Sequence, residues 1–176
     1  AKEGISIQIN KVSVSKSIIN GCSGDMFAYK ESTVAQIPVT EITNSTLIKP
    51  QGRIFYAGNA ASFSIDYCTM YGWGGSKAML ELGDKNTLGM SLAIKNTILA
   101  NGGSNRKAHN ANAAANLSLT IEKVYGTNDM TFHSTLGDVT KYDKPSTEVF
   151  ENPEEGNFKI IDALFPSSIG DPRWTE

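Results

Sequence analysis

Alternation of apolar and polar residues over 4–15 limits the possible folds of this chain more than any other feature of its sequence. The apolar positions are Ile5, Ile7, Ile9, Val12 and Val14. The alternation shifts by one residue between Ile9 and Val12. A period of two is the pattern of a β-strand that buries one face. Such a strand needs a partner, which is either the chain's own sheet or a neighbouring subunit.

The rest of the sequence consists of short apolar runs separated by Gly, Asn, Asp and Pro. The predicted strands are 4–15, 33–39, 53–57, 61–68, 77–83, 89–95, 116–125, 129–133 and 157–165. Residues 83–86, Gly-Asp-Lys-Asn, predict a hairpin turn between the fifth and the sixth of these strands. No internal repeat is apparent. Many short strands with frequent turns predict an all-β fold, an antiparallel β-sandwich or barrel.

Length and charge narrow the classes further. The chain has 176 residues, enough for one well-packed domain, and its formal net charge of -2 comes from 16 basic and 18 acidic residues that form no runs. A nucleic acid or an anionic membrane is therefore not expected as a partner. No apolar stretch approaches the roughly 18 residues of a membrane-spanning helix, so no membrane insertion is expected.

The C-terminal segment differs in character from the rest. Residues 148–155 carry four acidic side chains, and Pro166 and Pro172 interrupt the end of the chain. Its apolar side chains make it unlike a free, solvated tail. We therefore predict an N-terminal extension at 1–16, a β-sandwich body at 17–150 and an irregular C-terminal arm at 151–176.

Two cysteines, Cys22 and Cys68, lie beside predicted strands. Their spacing matches no C-x-x-C motif of metal or redox sites, which leaves a disulfide bond or two buried thiols. A disulfide would close a long loop and restrict the unfolded chain by ~4 kcal/mol in the chain-entropy model. The disulfide is the preferred interpretation.

Catalytic groups are sparse. The only imidazoles are His109, in an Asn- and Ala-rich stretch, and His133, at a strand end; both are predicted to be surface residues. A hydrolase triad needs a nucleophile, a base and an acid together, and a zinc site needs three or four clustered ligands. The sequence shows neither pattern. We therefore predict no enzymatic activity, no metal and no cofactor.

Three aromatic residues follow one another among glycines: Tyr67, Tyr71 and Trp73. Exposed rings in such a segment stack on sugars or anchor a protein interface. The alternative interpretation is that they close one end of the core.

The N-terminal strand, the cysteine pair and two later segments resemble the chaperone–usher pilins, the rod subunits of bacterial fimbriae. The later segments are Ser62–Cys68, which ends in the second cysteine, and Ala114–Ile121. The resemblance implies an immunoglobulin-like sandwich that lacks its last strand. It also implies that Ile5, Ile7, Ile9, Val12 and Val14 form a donor strand that fills the groove of the next subunit. Such a contact is heterologous and produces an open filament.

The predicted function is accordingly a structural subunit of an extracellular filament on the bacterial surface, which serves adhesion. Its expected partners are copies of itself, a periplasmic chaperone and an outer-membrane usher. Two alternatives are a viral or phage capsid or decoration protein, and a secreted carbohydrate-binding module whose affinity depends on Tyr71 or Trp73. A secreted enzyme is a third, for which no converging site is visible in the sequence.

Overall fold

A computed structural model of the chain describes residues 9–29, 37–83 and 89–175. Its strands, in chain order, are β1 (Lys11–Ser15), β2 (Ile18–Asn20), β3 (Phe27–Tyr29), β4 (Val39–Thr43), β5 (Thr46–Ile48), β6 (Phe55–Ala57), β7 (Ser62–Asp66), β8 (Thr69–Tyr71), β9 (Leu80–Leu82), β10 (Met90–Lys95), β11 (Ile98–Ala100), β12 (Leu117–Glu122), β13 (Tyr125–Gly126), β14 (Thr140–Lys141), β15 (Phe150–Asn152) and β16 (Asn157–Ile160). Two short helices are α1 (Ala111–Ala114) and α2 (Ser146–Val149). Three 3-10 helices are Ser134–Leu136, Pro153–Glu155 and Pro172–Trp174.

Strands β1 to β14 stack as the coils of a parallel β-solenoid. Sheet 1 has the order β1-β4-β7-β10-β12, sheet 2 the order β14-β13-β11-β8-β5-β2, and sheet 3 the order β3-β6-β9. Every pair within these three sheets is parallel. The five coils of the stack begin at β1, β4, β7, β10 and β12. The predicted antiparallel β-sandwich is therefore wrong, because each strand pairs with its counterpart one coil away and not with its neighbour in sequence.

The predicted hairpin between 77–83 and 89–95 illustrates the error. β9 lies in sheet 3 and β10 in sheet 1, so the two strands are not partners. The only antiparallel pair in the described residues is β15 with β16, which lies outside the stack.

An inward-facing ladder of aliphatic side chains shows the coil period. Val14, Ile42, Ile65, Ile94 and Ile121 are paired in successive strands of sheet 1, at spacings of 28, 23, 29 and 27 residues. The residue that directly follows each strand of sheet 1 has a positive φ. These corner residues are Lys16, Asn44, Tyr67, Asn96 and Lys123. The left-handed conformation turns the chain sharply into sheet 2.

The core lies inside the coils and has a stacked aromatic column at one side. The ring centroids of Phe27 and Phe55 are 5.8 Å apart, and those of Phe55 and Phe63 are 4.5 Å apart. The central strands of sheet 2 are buried on both faces, since all residues of β5, β8 and β11 are buried. The outer face of sheet 2 packs against residues 145–175, which we call the C-terminal arm from here on. The arm contributes five buried side chains to a second core at this face, those of Val149, Phe150, Phe158, Phe165 and Ile169.

The predicted donor strand is only partly described. Ile5 and Ile7 lie outside the described residues, and Ile9 is 57% exposed. Val12 and Val14 are half-buried in β1, which pairs in parallel with β4 of the same chain. Within the described residues, this strand therefore has a partner in its own sheet.

None of the helices in the described part of the chain is long and apolar enough to cross a membrane.

Candidate functional site

A polar cleft of about 410 Å³ runs across three successive coils on the side of sheet 3. The third coil contributes 76–81, the fourth 107–114 and the fifth 133–135. Three alanines, Ala78, Ala111 and Ala114, line it. Its polar side chains are those of Ser76, Glu81, Lys107, His109, Asn110, His133 and Thr135. No Phe, Tyr or Trp is among the described residues that line it.

His109 is positioned by a turn that leads into α1. The side-chain oxygen of Asn110 accepts hydrogen bonds from the backbone N–H groups of Ala113 (3.1 Å) and Leu82 (3.2 Å), and its Nδ2 donates to the Leu82 carbonyl (3.1 Å). Asn110 thus caps α1 and ties it to β9. The adjacent carbonyl of Asn110 lies 2.9 Å from Nδ1 of His109.

His133 is positioned by the next coil. Its backbone N–H donates to the Arg106 carbonyl at 2.8 Å. Its side chain caps the 3-10 helix Ser134–Leu136, where Nδ1 accepts a hydrogen bond of 3.2 Å from the backbone N–H of Thr135. Both histidines are half-buried and line the same cleft, whereas the sequence predicts two unrelated surface residues.

An ion-pair ladder leads from the first coil to the cleft. Arg53 contacts Asp25 through Nη1 at 2.9 Å and Glu81 through Nε at 2.6 Å. Burial lowers the pKa of Arg53, but the hydrogen bonds to Glu81 and Asp25 outweigh it and leave that pKa above its ordinary value. The second oxygen of Glu81 accepts from the Ala78 N–H at 3.2 Å. Both carboxylate oxygens of Glu81 therefore already accept a hydrogen bond from another part of the chain.

Lys107 differs from Arg53. Among the described residues, no carboxylate oxygen lies within the 4.0 Å of an ion pair from its ammonium group, and the residue is exposed at the mouth of the cleft. As far as the described part of the chain extends, the cleft thus offers a cation without an ion-pair partner. No group of three or more His, Cys, Asp or Glu side chains in the described ranges is placed to hold a metal ion.

The three predicted aromatic residues lie elsewhere. Tyr71 and Trp73 are fully buried, and only Tyr67, at a corner between sheets 1 and 2, is 39% exposed. The Tyr71 hydroxyl donates to Glu154 of the C-terminal arm at 2.5 Å and accepts from Asn101 at 2.7 Å. Rings without exposed faces cannot stack on a sugar, so only Tyr67 retains that possibility.

The predicted disulfide bond is not formed. Cys22 and Cys68 carry free thiols, and Cys68 is fully buried. Cys22 belongs to the first coil and Cys68 to the third. Two strand spacings amount to ~10 Å along the stack, beyond the ~7 Å at which two Cα atoms still permit a disulfide.

The sequence does contain a signal for the cleft. His109 and His133 are 24 residues apart, which is close to one coil, so knowledge of the period places them on neighbouring coils. The sequence conceals that period, because the spacing between coils varies from 23 to 29 residues and few residue types recur.

Comparison with known proteins gives one match. The sequence profile of a family described as "Domain of unknown function (DUF5123)" matches residues 63–174, which include every residue that lines the cleft. No curated protein and no solved structure matches the chain.

Proposed function

The chain belongs to the DUF5123 family of domains of unknown function, and we propose that it is a saccharide-binding β-solenoid whose cleft binds a sugar unit that carries a carboxylate. The observation that carries this proposal is the composition of the cleft: a lysine without an ion-pair partner among the described residues, and two histidines beside a glutamate whose oxygens already accept hydrogen bonds from Arg53 and Ala78.

The polarity of the cleft favours a saccharide over an apolar ligand. Its volume lies at the small end of the range of ligand sites, about 300–1,000 Å³, but typical small-molecule pockets are lined by apolar and aromatic side chains. A sugar presents hydroxyl groups that donate and accept hydrogen bonds. Hydroxyl, imidazole and ammonium groups from three coils match such a ligand.

The unpaired charge favours an acidic sugar. An ammonium group without a local partner attracts a ligand carboxylate, and a charge-assisted hydrogen bond is roughly twice as strong as a neutral one. Both oxygens of Glu81 already accept hydrogen bonds, from Arg53 and from the Ala78 N–H, and Arg53, which Glu81 shares with Asp25, offsets its charge in part.

The filament hypothesis now has less support. Strand exchange in pilins depends on the groove of an incomplete sandwich, and this chain is a β-solenoid. The predicted extracellular location and the predicted absence of enzymatic activity stay predictions. Binding to a polysaccharide outside the cell agrees with both.

The test is calorimetric titration with oligosaccharides of a uronic acid and with their methyl esters, which differ only in charge. We expect the acid to bind and Lys107→Met to weaken that binding about tenfold, with a smaller effect on the ester. His133→Asn, which keeps a capping side chain at the 3-10 helix, is expected to weaken both ligands.

Tyr67→Ala serves as the control variant. It removes the exposed ring at the corner of the coil without touching the cleft, so it should leave affinity unchanged. Failure of both ligands to bind would contradict the proposal. Equal affinity for acid and ester would contradict its carboxylate part, and a loss of binding in Tyr67→Ala alone would move the site to the corner.

A further inference from the structure

Backbone groups hold the two cleft histidines in opposite ways. The Nδ1 atom of His109 faces a carbonyl oxygen, that of Asn110, at 2.9 Å. A carbonyl only accepts hydrogen bonds, so Nδ1 of His109 carries the hydrogen. In the neutral ring, Nε2 then has the free lone pair.

His133 is the reverse case. Its Nδ1 faces a backbone N–H, that of Thr135, at 3.2 Å. A backbone N–H only donates, so Nδ1 of His133 has the lone pair and Nε2 carries the hydrogen. The hydroxyl groups of Thr135 and Ser134 lie 3.3 and 3.4 Å from the same Nδ1, and each is able to donate to it.

We propose that this pair, an acceptor at His109 and a donor at His133, determines which way a sugar lies in the cleft. This inference rests on the proposed function. It adds a specificity determinant to the same site.

Long-range ¹H–¹⁵N spectra of the histidine rings test the tautomers without any ligand. The chain has only two histidines, so His109→Gln assigns both sets of signals. At pH 8 we expect one ring protonated at Nδ1 and the other at Nε2. The same tautomer in both rings would overturn the inference.

Calorimetric titration of the two histidine variants with the uronic acid oligosaccharide at pH 8 tests their role in binding. We expect His109→Gln and His133→Asn each to weaken binding about fivefold to tenfold, because each variant removes one of the two ring contacts. Unchanged affinity in either variant would overturn the role given to that histidine. Opposite tautomers without binding of any saccharide would overturn the proposed function instead.

Discussion

At the scale of single residues, the surroundings of a cysteine decide the reactivity of its thiol. Cys68 sits at a corner between sheets 1 and 2 where the neighbouring coils have Ser45 and Thr97, so the position requires a small side chain. Its thiol contacts the carbonyl oxygens of Ile42 and Asp66. Burial raises the pKa of Cys68 to about 12. The sequence is compatible with a disulfide bond or with two free thiols. Only the coil to which each cysteine belongs decides between these alternatives.

The two thiols should react at different rates. Because the thiolate is the reactive form, a thiol-specific reagent at pH 8 should modify the half-buried Cys22 in the folded protein and Cys68 only after unfolding. Cys22→Ser should change the free energy of unfolding by less than about 0.5 kcal/mol. A decrease of about 2 to 5 kcal/mol under oxidising conditions would instead indicate a disulfide.

At the scale of elements, alternation predicts strands well but says nothing about their partners. The predictions at 61–68, 89–95 and 116–125 contain β7, β10 and β12. A strand buried on one face has the same period of two in a sandwich and in a solenoid. The central strands of sheet 2, β5, β8 and β11, have three residues each and are buried on both faces, so they show no alternation and the period of two does not predict them.

One carboxylate joins the stack to the C-terminal arm. Asp129 accepts hydrogen bonds from the backbone N–H (2.9 Å) and the hydroxyl (2.5 Å) of Ser146 in α2, and from the Thr127 hydroxyl (2.5 Å) after β13. Burial raises the pKa of Asp129, but these hydrogen bonds outweigh it and lower the pKa below its ordinary value.

Acid should therefore weaken this link. A carboxylate whose pKa is lower in the folded state stabilises the fold above its unfolded pKa of about 3.9, and that contribution is lost as the pH falls through the folded value. Asp129→Asn should unfold about 1 to 2 kcal/mol more easily at pH 7. Melting curves from pH 7 to pH 2.5 should converge with those of the natural protein.

The exposed Asp138 provides the matched control, since it makes no hydrogen bond or ion pair with the described residues. Asp138→Asn should give melting temperatures that run parallel to those of the natural protein at every pH. If Asp129→Asn also runs parallel, Asp129 is not the group through which acid acts.

At the scale of the whole molecule, the fold is a repeat that the sequence conceals. The ladder through Ile42, Ile65 and Ile94 has unequal spacings, and the corner residue after each strand varies from Lys to Asn to Tyr. Backbone conformation recurs at these corners, but residue type does not. A search for an aliphatic residue two positions before a corner at intervals of 23 to 29 would have found the solenoid, and with it the shared cleft.

The C-terminal arm binds several coils at once. The buried Asp171 accepts a hydrogen bond of 2.7 Å from Thr46 in β5, and its N–H donates to the Thr69 hydroxyl in β8 at 3.1 Å. The neighbouring Gly170 N–H donates to the Asn96 carbonyl of the next coil at 2.8 Å. Solenoid coils contact only their neighbours, so an element that spans three of them couples their unfolding.

Loss of this anchor should therefore affect the whole molecule. We expect Asp171→Ala to lower the free energy of unfolding by about 2 to 3 kcal/mol, because Thr46 loses a charged partner in a buried site. A double-mutant cycle with Thr46→Val should give a coupling energy of about 1 to 2 kcal/mol across 125 positions of sequence.

Arg173→Ala is the control variant. The ion pair of Arg173 with Asp171 is 3.8 Å long and partly exposed, so its loss should cost less than about 1 kcal/mol. Circular dichroism and intrinsic fluorescence should report a single coincident transition in each variant. Zero coupling between Thr46 and Asp171, or an early transition of the arm alone, would show that the arm covers sheet 2 without holding its coils together.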